Sequence, residues 1–209
     1  MLRIAYRWQP LAVAGTLMLM LGLAAGGCST HMDVSLTWQP TTDITTLQAK
    51  PNTVDLGGAK VQFAKLQDTR KNPAQIGEQP GKEPKTVSTK DDVGEFVARN
   101  LASSLAQMTP GSGLQITNVD PNVIVGGEVV EFYVTEQSDL KYDAVVRLKL
   151  QVKKPDGTVL YNVTAVGKSS RPGFPFKGEN YVEGLSNAVL QVANSLMEDQ
   201  AFRKALKGS

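Results

Sequence analysis

The 209-residue sequence contains one cysteine, Cys28, and one histidine, His31. A Ser-His-Asp triad, a Cys-His pair or a His/Cys zinc site would need such residues inside a folded domain. Both residues lie instead just after an apolar N-terminal stretch. We therefore expect no catalytic residue, no metal site and no bound cofactor, and a single cysteine excludes an internal disulfide bond. An enzyme based on Asp and Glu side chains is the remaining enzymatic alternative.

The sequence also lacks an excess of charge once its N-terminus is set aside. The whole chain has 22 basic and 20 acidic side chains. Removal of residues 1–27 takes away two arginines and no acidic residue, which leaves 20 side chains of each sign. Because nucleic-acid binding depends on clustered positive charge, we expect no nucleic-acid partner.

The apolar run of residues 11–23 is shorter than the roughly 20 residues that a membrane-spanning helix needs. Two arginines precede this run and the small residues 25–27 follow it, which is the pattern of an export signal. A cysteine directly after such small residues is typical of bacterial lipoproteins. We predict that residues 1–27 are a lipoprotein signal peptide and that Cys28 carries a diacylglycerol and an N-acyl chain, which would anchor the protein to a membrane.

Two alternatives to lipidation are left open, namely a cleaved signal peptide with an incidental cysteine and an uncleaved anchor. Ala25 stands where a branched apolar residue is usual in the lipoprotein signal. Ser29 follows the cysteine, at a position where Asp would favour retention in the inner membrane. The predicted location is therefore the outer membrane, with the domain facing the periplasm.

The rest of the chain divides into a short tether and one domain. Residues 28–53 are rich in polar residues and lack periodicity, so we expect a lipid-anchored flexible tether, with Trp38 docked on the domain. Residues 54–209 are predicted to form a periplasmic α+β domain.

Hydrophobic periodicity predicts the elements of that domain in the order β-α-β-β-β-β-α. The expected strands are 59–66, 114–117, 123–134, 142–153 and 158–168, and residues 69–90 are expected to form a long polar loop. One helix should begin near 89–92 and end before Pro110, and the other should begin at Asn180 as N-cap and run towards Leu206. We expect a mainly antiparallel sheet of about five strands with two helices on one face.

Two segments are candidate partner-binding sites. Asp68 and Arg70 begin the 69–90 loop, where they either meet a partner or form a local salt bridge that shapes the loop. Phe174 and Phe176 lie among prolines, so they either fold back over the core or present an apolar surface to a partner. Gly126-Gly127 indicates a bulge or a close backbone approach inside a strand.

Several motifs resemble those of the YajG-type bacterial lipoproteins, a family without an established function. They are the cysteine motif at Cys28, the run Phe63–Asp68-x-Arg70–Asn72-Pro73–Ile76-Gly77, the Gly126-Gly127-Glu128–Phe132 strand and the Glu179-Asn180-Tyr181 helix start. Only Cys28 carries over as a functional residue. The order of elements is also similar to that of auxiliary lipoproteins of ABC-type lipid transporters, which would imply envelope transport or assembly rather than catalysis.

These observations predict a non-enzymatic, membrane-anchored envelope lipoprotein that binds a protein partner as an accessory or structural component of transport or assembly. The alternative is an accessory protein that binds a lipid or small ligand in a groove between sheet and helices. A homo-oligomer formed through pairing of sheet edges is left open.

Overall fold

The computed structural model describes residues 31–47 and 54–208. Within them the chain forms a mixed sheet of nine strands and three α-helices. The strands are β1 His31–Asp33, β2 Lys60–Phe63, β3 Gln67–Asp68, β4 Gln75–Gln79, β5 Lys85–Ser88, β6 Gln115–Ile116, β7 Val123–Glu136, β8 Lys141–Lys153 and β9 Val159–Pro172. The helices are α1 Val93–Met108, α2 Gly178–Glu198 and α3 Gln200–Leu206, and Ile44–Leu47 form a 3-10 turn.

Three long antiparallel strands, β7, β8 and β9, form the centre of the fold, and each spans about 45 Å. The alternation predicted for β8 is confirmed, since its six inward-facing side chains are at most 1% exposed: Tyr142, Ala144, Val146, Leu148, Leu150 and Val152. The charged residues between them lie on the opposite face. A sheet with one buried and one wet face follows directly from this period of two.

A β-bulge in β7 keeps its apolar residues on the buried face. The register against β8 shifts between Val129 and Glu131. Odd-numbered residues up to Val129 point inward, and from Phe132 onward the even-numbered residues do so. This change of phase buries Phe132 and Val134, and it also carries Glu136 into the core, where it is 4% exposed.

The expected mainly antiparallel sheet of about five strands with two helices on one face is confirmed only in part: the long β7–β8 and β8–β9 ladders are antiparallel, but the sheet has nine strands and is mixed. The other edge of β7 carries β2, β3 and β4 one after another, and all three run parallel to it. β1 is parallel to β5, and β6 is parallel to β2. These strands have two to five residues, which is too few for a period of two to stand out in the sequence.

The long polar loop expected over 69–90 is largely a β-hairpin. β4 and β5 pair in antiparallel fashion around a turn at 80–84, and β4 continues the sheet onto β7. Ile76 and Val87 are fully buried beneath it. Each of these strands has a single large apolar side chain in a polar stretch. The sequence therefore shows no alternation from which the hairpin could be predicted.

The flexible tether expected over 28–53 is not what residues 31–47 form. β1 joins the sheet edge, and Val34 and Leu36 are 9% and 8% exposed. Further along, the backbone N–H groups of Thr41 and Thr42 donate to Asn187 Oδ1 of α2 at 2.9 and 3.0 Å. This segment lies along the surface of the domain because polar side chains of α2 accept hydrogen bonds from its backbone N–H groups. The predicted docking of Trp38 is confirmed by its contact with the Phe96 ring, 6.3 Å between centroids.

The three helices cover the buried face of the sheet. The predicted apolar stripe of α1 is confirmed, since its members Val93, Phe96, Val97, Leu101 and Leu105 are at most 3% exposed. Its N-cap is Asp92, whose side chain accepts from the Glu95 N–H, within the range 89–92 expected for the start of the helix. None of the helices in residues 31–47 and 54–208 is long and apolar enough to cross a membrane.

The C-terminal helix is interrupted at Asp199, which ends α2 and caps α3. Asn180, expected as the N-cap of α2, lies instead within its first turn, since α2 begins at Gly178. Asp199 accepts hydrogen bonds from the N–H groups of Ala201 and Phe202 and from the Tyr161 hydroxyl. Burial raises the pKa of Asp199, but these hydrogen bonds outweigh it, and the net pKa is lowered.

We expect Asp199→Ala to lower the free energy of unfolding by about 1 kcal/mol at pH 7, because the cap of α3 is lost. Since the folded-state pKa of this carboxyl lies below its unfolded value, its stabilisation is present above about pH 4 and is lost as the pH falls through the folded pKa. Urea unfolding of both proteins should therefore give converging midpoints below that pH. An equal difference at pH 7 and in acid would contradict this role of the carboxylate.

Candidate functional site

Four chain segments meet at one end of the sheet, which we call the anchor end. The register of β7 with β4, Gly77 opposite Val134, places the 80–84 turn beside the 137–140 turn. The pairing of Lys141 with Pro172 brings in the β9–α2 connection, residues 173–177. The pairing of His31 with Thr86 places the start of β1 at the same end. The anchor end is therefore the end at which the chain enters the described structure.

The β9–α2 connection, residues 173–177, presents two aromatic rings to solvent, and we call it the aromatic tip. Phe174 is 71% and Phe176 64% exposed, which excludes the expectation that they fold back over the core. Phe176 has a φ of +60°, a value that costs energy for a residue with a Cβ. The Lys177 ammonium lies 5.2 Å from the centroid of the Phe174 ring.

Buried side chains hold the backbone of the aromatic tip in place. The Phe174 carbonyl accepts hydrogen bonds from the Tyr142 hydroxyl at 2.8 Å and from Asn180 Nδ2 at 2.6 Å. Gly173 packs so closely that a Cβ there would lie 2.6 Å from both Asn180 Cγ and the Tyr142 ring. Burial raises the pKa of Tyr142 to about 12, so its hydroxyl remains a donor across the physiological range.

A buried carboxylate lies beneath this support. The Tyr181 hydroxyl donates to Glu136 Oε2 at 2.8 Å, and the ring of Tyr181 meets that of Tyr142 edge to face, 5.3 Å between centroids. Burial, followed by the hydrogen bond with Glu136, raises the pKa of Tyr181 strongly. The neutral phenol is thus a permanent donor to Glu136, and the pair is a structural connection between α2 and β7.

Arg70 forms a clamp rather than an exposed contact. Its Nε and Nη2 bind the two oxygens of Asp68 at 2.9 and 2.7 Å. The remaining N–H groups reach the carbonyls of Pro73, Gln75 and Phe132, and the guanidinium lies 5.6 Å from the centroid of the Phe132 ring. The Arg70 side chain is 7% exposed. All five N–H donors of Arg70 bond within the domain. Of the two alternatives left open, the geometry therefore favours the local salt bridge that shapes this segment over contact with a partner.

The face of the sheet opposite the helices carries an open polar groove of about 520 Å³. It runs over β7, β8 and β9. Its polar lining side chains are Gln67, Glu128, Lys149, Gln151, Lys153, Asn162 and Thr164, and Gly127, Leu150 and Val163 complete the lining. This outer groove escaped sequence reasoning because its members come from four separate segments, each with the composition of an ordinary solvated strand face.

His31 lies in contact with the domain, contrary to the expected tether. Its Nε2 is 2.7 Å from both Ser88 Oγ and Asp33 Oδ1. The hydrogen bond with His31, followed by that with Lys90, lowers the pKa of Asp33. Asp33 and Ser88 both make their short contact with Nε2, and Ser88 Oγ lies 3.5 Å from Nδ1, whereas a catalytic triad uses opposite nitrogens for its serine and its carboxylate. We interpret the cluster as a set of side-chain hydrogen bonds that helps to hold β1 against β5.

Two further observations concern ligands. Among the described residues, no group of three or more His, Cys, Asp or Glu side chains is placed to hold a metal ion. The layer between helices and sheet is filled by fully buried side chains such as Leu148, Leu185 and Val189. The alternative that places a lipid in that layer therefore receives no support from the packing.

The fold belongs to the class of mixed α/β sheets covered by helices on one face. It is similar to a solved structure of XCC0632 from Xanthomonas campestris, a protein of the DUF330 family, with 13% identity over 79% of this chain and 91% of that one and a TM-score of 0.49. A second neighbour, described as an uncharacterized protein, has 8% identity over 71% and 95% of the chains and a TM-score of 0.46. PelC from Paraburkholderia phytofirmans, solved as a dodecamer, has 16% identity over 69% and 92% and a TM-score of 0.38.

No protein-family model and no curated protein matches the sequence. The resemblance to YajG-type lipoproteins therefore stays a prediction. None of the three structural likenesses carries an inference about the activity or the oligomeric state of this chain. Cys28 lies outside the described residues, so its lipidation also stays a prediction.

Proposed function

We propose that this protein is a non-enzymatic lipoprotein of the cell envelope that binds a protein partner as an accessory or structural component of transport or assembly. In this proposal acyl chains on Cys28 anchor it in the outer membrane, with its domain in the periplasm. The observation that supports the proposal most is the position of the first strand. β1 begins three residues after Cys28, so an acylated Cys28 would hold the sheet directly at the membrane rather than on a long tether.

The outer groove is the surface that we assign to the protein partner. It lies on the sheet face that no described helix covers. Its side chains include hydrogen-bond donors and acceptors, and charged groups of both signs. Lys149 is exposed there, and Glu128 is its cross-strand partner. The groove presents the Glu128 carboxylate beside the ammonium groups of Lys149 and Lys153. A surface with groups of both signs favours a specific protein contact over a lipid, because each can be matched by a group of opposite charge.

Site-specific crosslinking in living cells tests this assignment. We expect a photo-crosslinking amino acid at Lys149 in the full-length chain to capture one transport or assembly component of the envelope. The same amino acid at Arg99, which is exposed on α1, should not capture it. A Cys28→Ser variant should lose the capture, because the chain would no longer be acylated.

The intact mass of the mature protein provides the independent control. A chain that begins at Cys28 and carries acyl groups is expected. Equal labelling from Lys149 and Arg99, or no product above background from an acylated chain, would show that the partner assignment is wrong. An unacylated mature chain would show that the lipoprotein assignment itself is wrong.

A further inference from the structure

The exposed phenylalanines of the described residues lie at the anchor end, whereas the exposed aliphatic side chains Ile116, Val119 and Val159 lie at the opposite end of the sheet. Phe174, Phe176 and Leu140 are 71%, 64% and 42% exposed. The turns 80–84 and 137–140 and the tip 173–177 contain two lysines and two acidic residues, and Lys85 and Lys141 directly follow the first two turns. An apolar surface rimmed by lysines is the composition that suits a phospholipid surface, where rings enter the headgroup region and ammonium groups meet phosphates.

The start of the described chain is close to the aromatic tip. Gly178 directly follows the aromatic tip. A Cβ built on it would lie 3.9 Å from Met32 Sδ and 3.1 Å from Val34 Cγ2. Cys28 precedes His31 by three residues, which span at most about 10 Å. An acyl chain on Cys28 would therefore bring a bilayer within reach of the tip.

We propose that the aromatic tip is a second membrane contact, which inserts Phe174 and Phe176 into the phospholipid leaflet that holds the acyl chains of Cys28. This inference rests on the proposed lipidation. It adds an orientation, with the long axis of β7 standing away from the membrane and the anchor end facing it.

The rigidity of the tip favours this role. Its carbonyl is held by Tyr142 and Asn180, so insertion orders little additional backbone. Phe176 keeps a positive φ with its ring in solvent, a strained arrangement that contributes no core packing. The two exposed rings contribute little to the packing of the domain itself. Insertion into a membrane would explain why they are held in solvent.

A fluorescent probe at the tip tests the proposal, and Val119 is a matched control position. Val119 precedes β7 at the opposite end of the sheet and is 78% exposed. The chain has no cysteine besides Cys28, so Phe174→Cys and Val119→Cys each provide one free thiol in the acylated protein. Each variant is labelled with nitrobenzoxadiazole and reconstituted into vesicles of phosphatidylethanolamine and phosphatidylglycerol.

We expect lipids with spin-labelled acyl chains to remove most of the emission of the probe at 174 and little of that at 119. If acylated protein floats with the vesicles and neither probe is quenched, the membrane contact of the tip is wrong while the lipid anchor stands. A probe at 174 that is shielded without vesicles and insensitive to spin-labelled lipid would assign the tip to self-association. A chain without acyl groups that fails to float would overturn the proposed function, and this inference with it.

Discussion

Gly127→Ala is expected to destabilise the protein by at least about 3 kcal/mol, or to prevent its folding. Gly127 has a φ of +145°, which side chains other than hydrogen rarely allow. A Cβ at this position would lie 2.0 Å from the Lys149 carbonyl oxygen, an atom of the neighbouring strand that cannot move without breaking the β7–β8 ladder. The free energy of unfolding from urea titration measures the loss.

The adjacent residue is the matched control for this prediction. Gly126→Ala would place its Cβ 3.8 Å from Ala64 Cβ, which is an ordinary contact, so we expect a change within about 0.5 kcal/mol. Similar losses for the two variants would contradict the close approach at Gly127. The sequence prediction left a bulge and a close approach open at this pair. The structure has the close approach at Gly127 and the bulge further along β7, after Val129.

Arg70→Ala is expected to lower the free energy of unfolding by about 3 kcal/mol. The change leaves the Asp68 carboxylate, which is 20% exposed in its side chain, without its cation. It also removes the donors to the carbonyls of Pro73, Gln75 and Phe132, which connect the start of the β4–β5 hairpin to β7. Breaking a buried pair from one side costs more than the pair itself contributes, because the remaining charge stays buried.

Lys71→Ala is the control for Arg70, since it removes an exposed positive charge from the next residue. We expect it to change stability by less than about 0.5 kcal/mol. A double-mutant cycle with Asp68→Ala would measure the coupling between the two partners directly. If Arg70→Ala costs no more than Lys71→Ala, the clamp is not a stabilising element, and its residues would again be candidates for a partner.

The four candidate partner-binding residues differ in their exposure in the structure. Sequence reasoning selected Asp68, Arg70, Phe174 and Phe176 together, from polar or proline-rich surroundings. In the fold Asp68 and Arg70 form an ion pair within the domain, whereas Phe174 and Phe176 are exposed to solvent. Composition could not separate these pairs, because whether a side chain is used inside the domain depends on carbonyls and rings from distant strands, such as Phe132.

Periodicity in the sequence was sufficient for the long elements. The two-residue alternation of β8 and the apolar stripes of α1 and α2 each extend over a dozen residues or more, so the face that they bury is determined locally. The predicted signal peptide before Cys28 also rests on local sequence alone, because such a segment is recognised by its composition, and it stays a prediction.

The tertiary structure alone decided the rest. Short parallel strands such as β1 and β3 exist because a neighbouring backbone supplies their hydrogen bonds, which no local pattern encodes. The same is true of residues 31–47, whose polar backbone is satisfied by Asp91, Ser186 and Asn187. Local sequence thus determined the long helices and strands and the predicted anchor. The close approach of β1 to the start of α2, beside the aromatic tip, arises only from folding, because long-range pairing brings residues from opposite parts of the chain to one end of the sheet.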